Sequence, residues 1–316
     1  MIYSRYKAGV SWQWFNAIKA ENIAQNKGTI CINLDETYVG YYHGNVKGNL
    51  AVTNRRLPDG ILPLTQAASR KHLRMGLTHV GIVCDSRAAQ KLLPQVLIVP
   101  SKHLTLRDLR ATKPLMPPNI YILRRESKWI STEIVVWIIY LIHACLRRFR
   151  PTHTLVLLMD VLAQHFHPSV LAAAEACGIK LFFVPAKLTW LLQPCDTHTF
   201  SLYKRQLRKL FLRWRSRNGV AMPGVSDWLL MIRDVIVDFM NERSWANAFK
   251  EDGFGDNQAD LSKYIRSHLP FNSVLPVPTA IPSTDSLRLV FPKTRTTINV
   301  EYFRGLLGAP PPKALT

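Results

Sequence analysis

Thr154, Leu155, Val156, Leu157, Leu158 and Met159 form an unbroken run of strand-forming side chains that stops on Asp160. A run with no polar face belongs inside a sheet covered on both sides. Pro168 then opens a helix that closes near Gly178, the positions where proline and glycine suit helix ends. Leu181 to Val184 make the next strand, stopped by Pro185. Strand, helix and strand within roughly thirty residues describe a parallel pair with its covering helix.

The same alternation extends upstream. Thr29 to Leu34 is a β-rich run ending on Asp35, and His79 to Cys84 another ending on Asp85. Residues 41–56, with Gly44, Gly48 and Asn49 among alternating side chains, read as a hairpin. Gln95 to Val99 and Ile120 to Leu123 are weaker strands. Ser131 is placed to cap a helix from Thr132 to Arg148, with Glu133 in its first turn and Arg147 and Arg148 in its last. The reading is a layered α/β chain, a mixed sheet flanked by helices. Residues 1–28 are a helical lead-in, 29–217 the core, 218–268 a small helical appendage and 269–316 a Pro-rich extended tail. No internal repeat is present.

Charge narrows the partners. The chain of 316 residues carries 41 Lys and Arg against 21 Asp and Glu, a formal net charge of +20. Such an excess suits a polyanion, nucleic acid first and an anionic membrane surface second. The five cysteines form no CxxC pair, which excludes a zinc ribbon or a disulfide framework and suits buried thiols in a reducing compartment. The longest apolar stretch, Ile134 to Cys145, is too short to span a bilayer. Neither a secretory leader nor membrane insertion is expected.

Asp35 and Asp160 each follow an apolar strand run, where α/β sheets gather their ligand sites. Asp85 fits the same description, and an Asp at such a point often only begins a turn. Asp196 adds a second kind of placement. It precedes Phe200, Tyr203, Leu207, Leu210, Phe211 and Trp214, which recur at helical spacing. At 100° per residue Asp196 lies in line with that apolar stripe and is expected to face the sheet. It is either a helix N-cap or a carboxylate placed for a cation. Lys204, Arg205, Arg208, Lys209, Arg213 and Arg215 follow with no acid between them. A one-signed row of this kind is a solvated face or a phosphate-binding one. Three converging carboxylates would suit hard divalent cations and in-line phosphoryl displacement.

Three motifs carry a family resemblance: Asn33-Leu34-Asp35-Glu36-Thr37; Leu157-Leu158-Met159-Asp160 with His165; and Val184-Pro185 through Gln193-Pro194-Cys195-Asp196, with Lys204 in the next helix. Over residues 29–215 the chain resembles the DDE-superfamily endonuclease domain of pogo-like transposases, in the mariner superfamily. Trp245, Phe249 and Gly253 resemble the segment that follows that domain. The resemblance implies an RNase H-like fold, with Asp35, Asp160 and Asp196 both catalytic and ligands of two Mg²⁺ or Mn²⁺ ions. It puts Glu36, His165, Gln193 and His198 near the site or its substrate, and assigns the basic row to nucleic acid. It further implies DNA transposition, a DNA partner, a homodimer, a nuclear location and no small-molecule cofactor. Val161 stands where the family has Asn after the second Asp. Residues 1–34 are too few for a helix-turn-helix domain ahead of the first strand. A metal-dependent DNA endonuclease and strand transferase is therefore expected. A catalytically silent, domesticated nucleic-acid-binding protein and an RNase H-like nuclease acting on RNA are the alternatives.

Overall fold

The computed structural model describes residues 2–42, 75–218, 222–255 and 260–268. Most of the expected hairpin at 41–56, and the whole Pro-rich tail, lie outside them. The chain opens with α1 (Ile2–Ala24) and β1 (Gly28–Gly40), followed by β2 (Gly76–Cys84), the single turn α2 (Arg87–Gln90) and β3 (Gln95–Pro100). Then come α3 (Leu106–Thr112), β4 (Ile120–Arg125), α4 (Thr132–Cys145), β5 (His153–Asp160), α5 (Pro168–Cys177) and β6 (Ile179–Val184). The short α6 (Thr189–Leu192) leads through a π turn, Cys195–Thr199, into the long α7 (Phe200–Asn218). Last are α8 (Val225–Val235), which runs into a second π turn at Ile236–Asn241, α9 (Ala246–Phe249), which runs into a third at Lys250–Phe254, and α10 (Lys263–His268).

The six strands form one sheet in the order β4-β3-β2-β1-β5-β6. β1, β2 and β3 pair antiparallel, while β5 and β6 add in parallel on the other edge of β1. This is the RNase H-like arrangement, extended by β4 lying parallel to β3. β2 and β3 are buried at every residue and β5 at Leu155–Met159, and of these residues only Thr78, His79 and Gln95 are polar.

Residues in register share a face, so Asn33, Asp35, Leu158 and Phe182 lie on one side of the sheet. Glu36, Tyr38, Met159 and Phe183 lie on the other. On the first side Trp14 of α1 packs on Phe182 at 4.7 Å between ring centroids, and Phe15 meets Phe254 edge-on at 4.8 Å. Each such pair adds about 0.5–1.5 kcal/mol beyond its area burial. α1 and the segment around Phe254 are thereby packed into one continuous core with the sheet. On the second side Phe166 stacks on Phe183 at 3.9 Å, and α4 packs against α5.

Several helix ends follow the sequence signals. α5 begins at Pro168, and Gly178 ends it with a left-handed φ of 61°. Ser131 occupies the cap position of α4 with extended backbone, but its hydroxyl makes no capping bond. Among the described residues no helix is long and apolar enough to cross a membrane.

Candidate active site

The ladder between β1 and β5 ends at the pair Asn33 and Leu158. Two residues further along both strands, the same stagger brings Asp35 level with Asp160. Asp160 is the last residue of β5, as expected. Asp35 is not the end of its strand, because β1 continues to Gly40 through pairing with β2, Asp35 lying opposite Gly81. The polar residues after Asp35 concealed that extension. They sit in a strand because their partners on β2 are uninterrupted.

Gly81 decides how closely α7 approaches. A Cβ at Gly81 would come within 2.7 Å of the Phe200 ring. Its absence lets Phe200, the first residue of α7, rest directly on the sheet beside Asp35. Asn33 fixes the turn before it. The Asn33 Oδ1 accepts the Cys195 N–H at 2.7 Å, and its Nδ2 donates to the Leu158 carbonyl at 3.1 Å. A buried amide thus ties β1, β5 and the π turn together. The signal for it was an Asn inside an otherwise apolar strand, two residues before Asp35.

The π turn also changes the expected orientation of Asp196. Phe200, Tyr203, Leu207 and Phe211 are buried along α7, as the stripe requires. The Phe200 N–H, however, bonds to the Cys195 carbonyl five residues back, so the 100° phase does not extend to Asp196. Cys195 takes the buried position and Asp196 lies exposed on the rim.

The carboxylates influence one another. Asp35 is 7% exposed, and its pKa stands well above the ordinary carboxylate value. Burial is the main cause, followed by the charges of Asp196, Glu36 and Asp160. The N–H of Glu36, donated to Asp35 Oδ1 at 2.8 Å, works against them. Asp196 is raised as well, by partial desolvation and by the charge of Asp160. Hydrogen bonds with Asp35 and Thr189 and the charge of Lys204 oppose that rise. A proton shared between Asp35 and Asp196 is the physical reading of this pair.

Asp160 is held differently. Its Oδ1 accepts from His165 Nδ1 at 2.6 Å and from the Leu162 N–H at 3.2 Å, folding residues 161–165 back over the strand end. His165 is fully buried, and its Nε2 reaches Glu36 Oε1 at 3.2 Å. Burial lowers the imidazole pKa, but the bonds and charges of Asp160 and Glu36 outweigh it and carry it up to about 10. The ring is therefore a cation at neutral pH, donating from both nitrogens. Val161 turns a partly buried side chain onto the core instead of offering an amide.

The other expected residues divide. Gln193 is buried, and neither Oε1 nor Nε2 of its side chain has a hydrogen-bond partner. Its backbone carbonyl accepts the N–H groups of Asp196 and Thr197. His198 turns away from the carboxylates and bonds to Asp252 at 3.1 Å. Asp252, 2% exposed, also accepts from Thr197 Oγ1 at 2.6 Å. Its backbone carbonyl takes the Trp12 indole N–H at 3.2 Å. Gly253 beside it has φ 92°, with the Trp12 ring where a side chain would project. Sequence reading missed this node, whose signal was an Asp-Gly pair in a segment matched only to the family's trailing region. A cleft of about 700 Å³ opens between Asp196, Trp190 and Glu251.

Lys204 leads the basic row and lies near enough to Asp196 and Asp35 for their charges to oppose the lowering of its pKa by burial. Arg205, Arg208, Lys209 and Arg213 are exposed along α7, and Arg215 is half-buried. Among the described residues no three His, Cys, Asp or Glu side chains close on one point as metal ligands would.

Comparison with known proteins identifies the family. The family model of the DDE superfamily endonucleases matches residues 78–244, more than half of the chain. The match takes in Asp160, Asp196 and α7 and begins after Asp35. The chain is similar to a solved Mos1 transposase paired-end complex with left transposon end, at 12% identity and a TM-score of 0.39. That similarity covers 78% of this chain and 62% of that one. A pre-cleavage Mos1 transpososome matches at 11% identity and 0.41, covering 80% and 64%. The Mos1 transposase catalytic domain with Raltegravir and Mg matches at 11% and 0.36, covering 79% and 97%. The chain thus spans 62% of the first Mos1 chain's length, less than two thirds. No curated protein matches it.

Proposed function

Since this chain belongs to the DDE superfamily of endonucleases, we propose that it is a transposase-derived, metal-dependent enzyme that cuts and joins DNA at Asp35, Asp160 and Asp196. The observation that carries the reading is the gathering of Asp35, Asp196, Asp160 and Glu36 within electrostatic reach of one another, with Asp35 buried. Like charges in such a place raise the free energy unless a proton or a cation relieves them. Hard carboxylate oxygens beside an orphaned Gln193 amide fit Mg²⁺ or Mn²⁺ with its water shell.

In this reading Asp35, Asp160 and Asp196 hold two ions. The chemistry such ions would supply there is activation of the attacking oxygen and neutralisation of the leaving one. The side chains of the chain do the rest. His165 orients Asp160 by donating to it, and through Glu36 it fixes the spacing between β5 and β1. Asn33 and Gly81 set the π turn so that Asp196 leans toward Asp35. Lys204 adds positive charge at the rim, and Arg205, Arg208, Lys209, Arg213 and Arg215 offer phosphate contacts that position a duplex without reading its sequence. DNA as substrate, action as a homodimer and a nuclear location belong to the same proposal.

Nicking of supercoiled plasmid with Mg²⁺ or Mn²⁺ tests it. Cleavage that requires both the metal and Asp160, and is lost in Asp160→Ala, is the expected result. Salt-sensitive binding without cleavage in either metal would sink the enzyme reading. A silent nucleic-acid-binding protein would then stand in its place. One observation favours that second reading: His165 already supplies a positive partner to Asp160 and Glu36.

A further inference from the structure

Beyond Glu36, on the side of the sheet away from α7, two large aromatic rings face solvent. Trp129, in the segment before α4, is 73% exposed and Tyr38, on β1, is 41% exposed. The Lys128 ammonium lies 4.2 Å from the Tyr38 ring centroid and 5.5 Å from that of Trp129. The group is held in place. The Tyr38 hydroxyl donates to the Met75 carbonyl at 2.8 Å, and Gly76 leaves the space its ring fills. The Trp129 N–H donates to Ser127 Oγ at 3.2 Å.

We propose that Tyr38, Lys128 and Trp129 form a stacking platform for an unpaired base of the DNA strand that crosses the carboxylates. The inference rests on the DNA-cutting reading and names the form of DNA the site accepts. Three observations favour this occupant. Tyr38 lies two residues beyond Glu36 on the same face, about 7 Å along β1, so the platform adjoins the Glu36–His165 edge of the carboxylate cluster. Its immediate neighbourhood is basic, with Arg124, Arg125 and Lys128 against Glu126 in a chain of net charge +20. Such a surface attracts a polyanion and disfavours a cationic partner. The exposed Trp129 ring, with the Lys128 ammonium between it and Tyr38, offers a stacking face, and within a duplex each base already has both of its faces covered by neighbours. Only an unpaired base can use them. Because the Tyr38 ring is already anchored, little of its side-chain freedom is lost on binding.

Binding is best measured in chelator, where cleavage does not intervene. The probes are a labelled duplex with a short single-stranded extension and the same duplex with the extension paired. The wild type is expected to prefer the first. Trp129→Ala should lose about 5- to 100-fold of affinity for that probe, leave the paired duplex within twofold, and keep its Tm, since the ring is exposed. Trp129→Phe should retain most of the preference. If the wild type holds both probes equally, or Trp129→Ala weakens both alike, the platform is overturned and the DNA reading stands. Loss of self-association in Trp129→Ala, with DNA binding intact, assigns the face to a second copy of the chain and overturns it too. Binding of neither probe removes the DNA reading and the platform with it.

Discussion

Asp35 and Asp85 both follow apolar runs on neighbouring strands, and the two carboxylates meet opposite circumstances. Asp85 continues the ladder of β1 and β2: its N–H donates to the Cys31 carbonyl and its Oδ1 accepts the Cys31 N–H, both at 3.1 Å. Burial raises its pKa to about 6, while those bonds and the charge of Lys19 hold it down. Asp35 lies four residues further along β1, opposite Gly81, among Asp196, Glu36 and Asp160. A carboxylate after an apolar run is therefore no sign of chemistry by itself. Its neighbours decide, and for Asp35 two of them, Asp160 and Asp196, lie more than a hundred positions away in sequence.

The comparison can be broken most decisively at Asp35. Asp35→Asn should reduce metal-dependent nicking by about 10²-fold or more, the scale of a lost group that acts only in the transition state. The same change should stabilise the protein in chelator. A raised carboxylate pKa means the folded state holds its proton more tightly, so stability falls as pH rises from about 4 toward the folded pKa. The gain in Tm for the variant should therefore be present at neutral pH and vanish near pH 4 in thermal melts. Added Mg²⁺ should stabilise the wild type and leave the variant unmoved. An equal response of both to Mg²⁺ would mean that Asp35 is a second Asp85.

A smaller loss is expected at His165, which touches Asp160 and Glu36. His165→Ala should lower nicking by about 10- to 100-fold, the range for a group that orients a metal ligand. His165→Gln should recover part of it, because an amide also donates. No recovery, with a matching fall in Tm, would reduce His165 to a packing role.

Gly81→Val drives a side chain into Phe200. Overpacking of this kind costs about 1–3 kcal/mol, read as a shift in the denaturation midpoint. Nicking should fall further than the lost folded fraction explains, because the start of α7 carries Asp196 with it. Activity that tracks stability alone would mean that α7 can lift without moving Asp196.

The least effect belongs to Asp85→Asn. It keeps an acceptor for the Cys31 N–H and removes the carboxylate whose pKa burial has raised. Stability should rise by about 1–2 kcal/mol above pH 6, discounted for partial exposure. It should converge on the wild type below about pH 4, with nicking unchanged. A loss of nicking there would dissolve the contrast between the two residues.

Much of this was legible in the sequence, and the reasons for the rest are physical. β2, β5 and β6 were readable because strands buried on both faces leave unbroken apolar runs. Pro168 and Gly178 marked α5 because both residues restrict backbone dihedrals. The extension of β1 past Asp35 was hidden, since it depends on a partner strand more than thirty-five residues away. The exposure of Asp196 was hidden by a π turn, which no residue pattern in Cys195–Thr199 announces. Asn33, Gly81 and Asp252 matter through single contacts at 2.7–3.2 Å or through missing atoms, and periodicity does not record either. The basic row could be read directly, because a charge repeated along one helix needs no partner to be seen.

The packing of α1 has a consequence for how the chain is born. Trp12, Trp14 and Phe15 are synthesised first, yet their partners are Asp252, Phe182 and Phe254. At about 5–20 residues per second, roughly ten to fifty seconds pass between the emergence of those rings and that of Phe254. Through that interval the nascent chain carries an uncovered aromatic helix, the kind of segment a chaperone holds. The turn bearing Asp196 gains its anchor on Asp252 only when the wait ends.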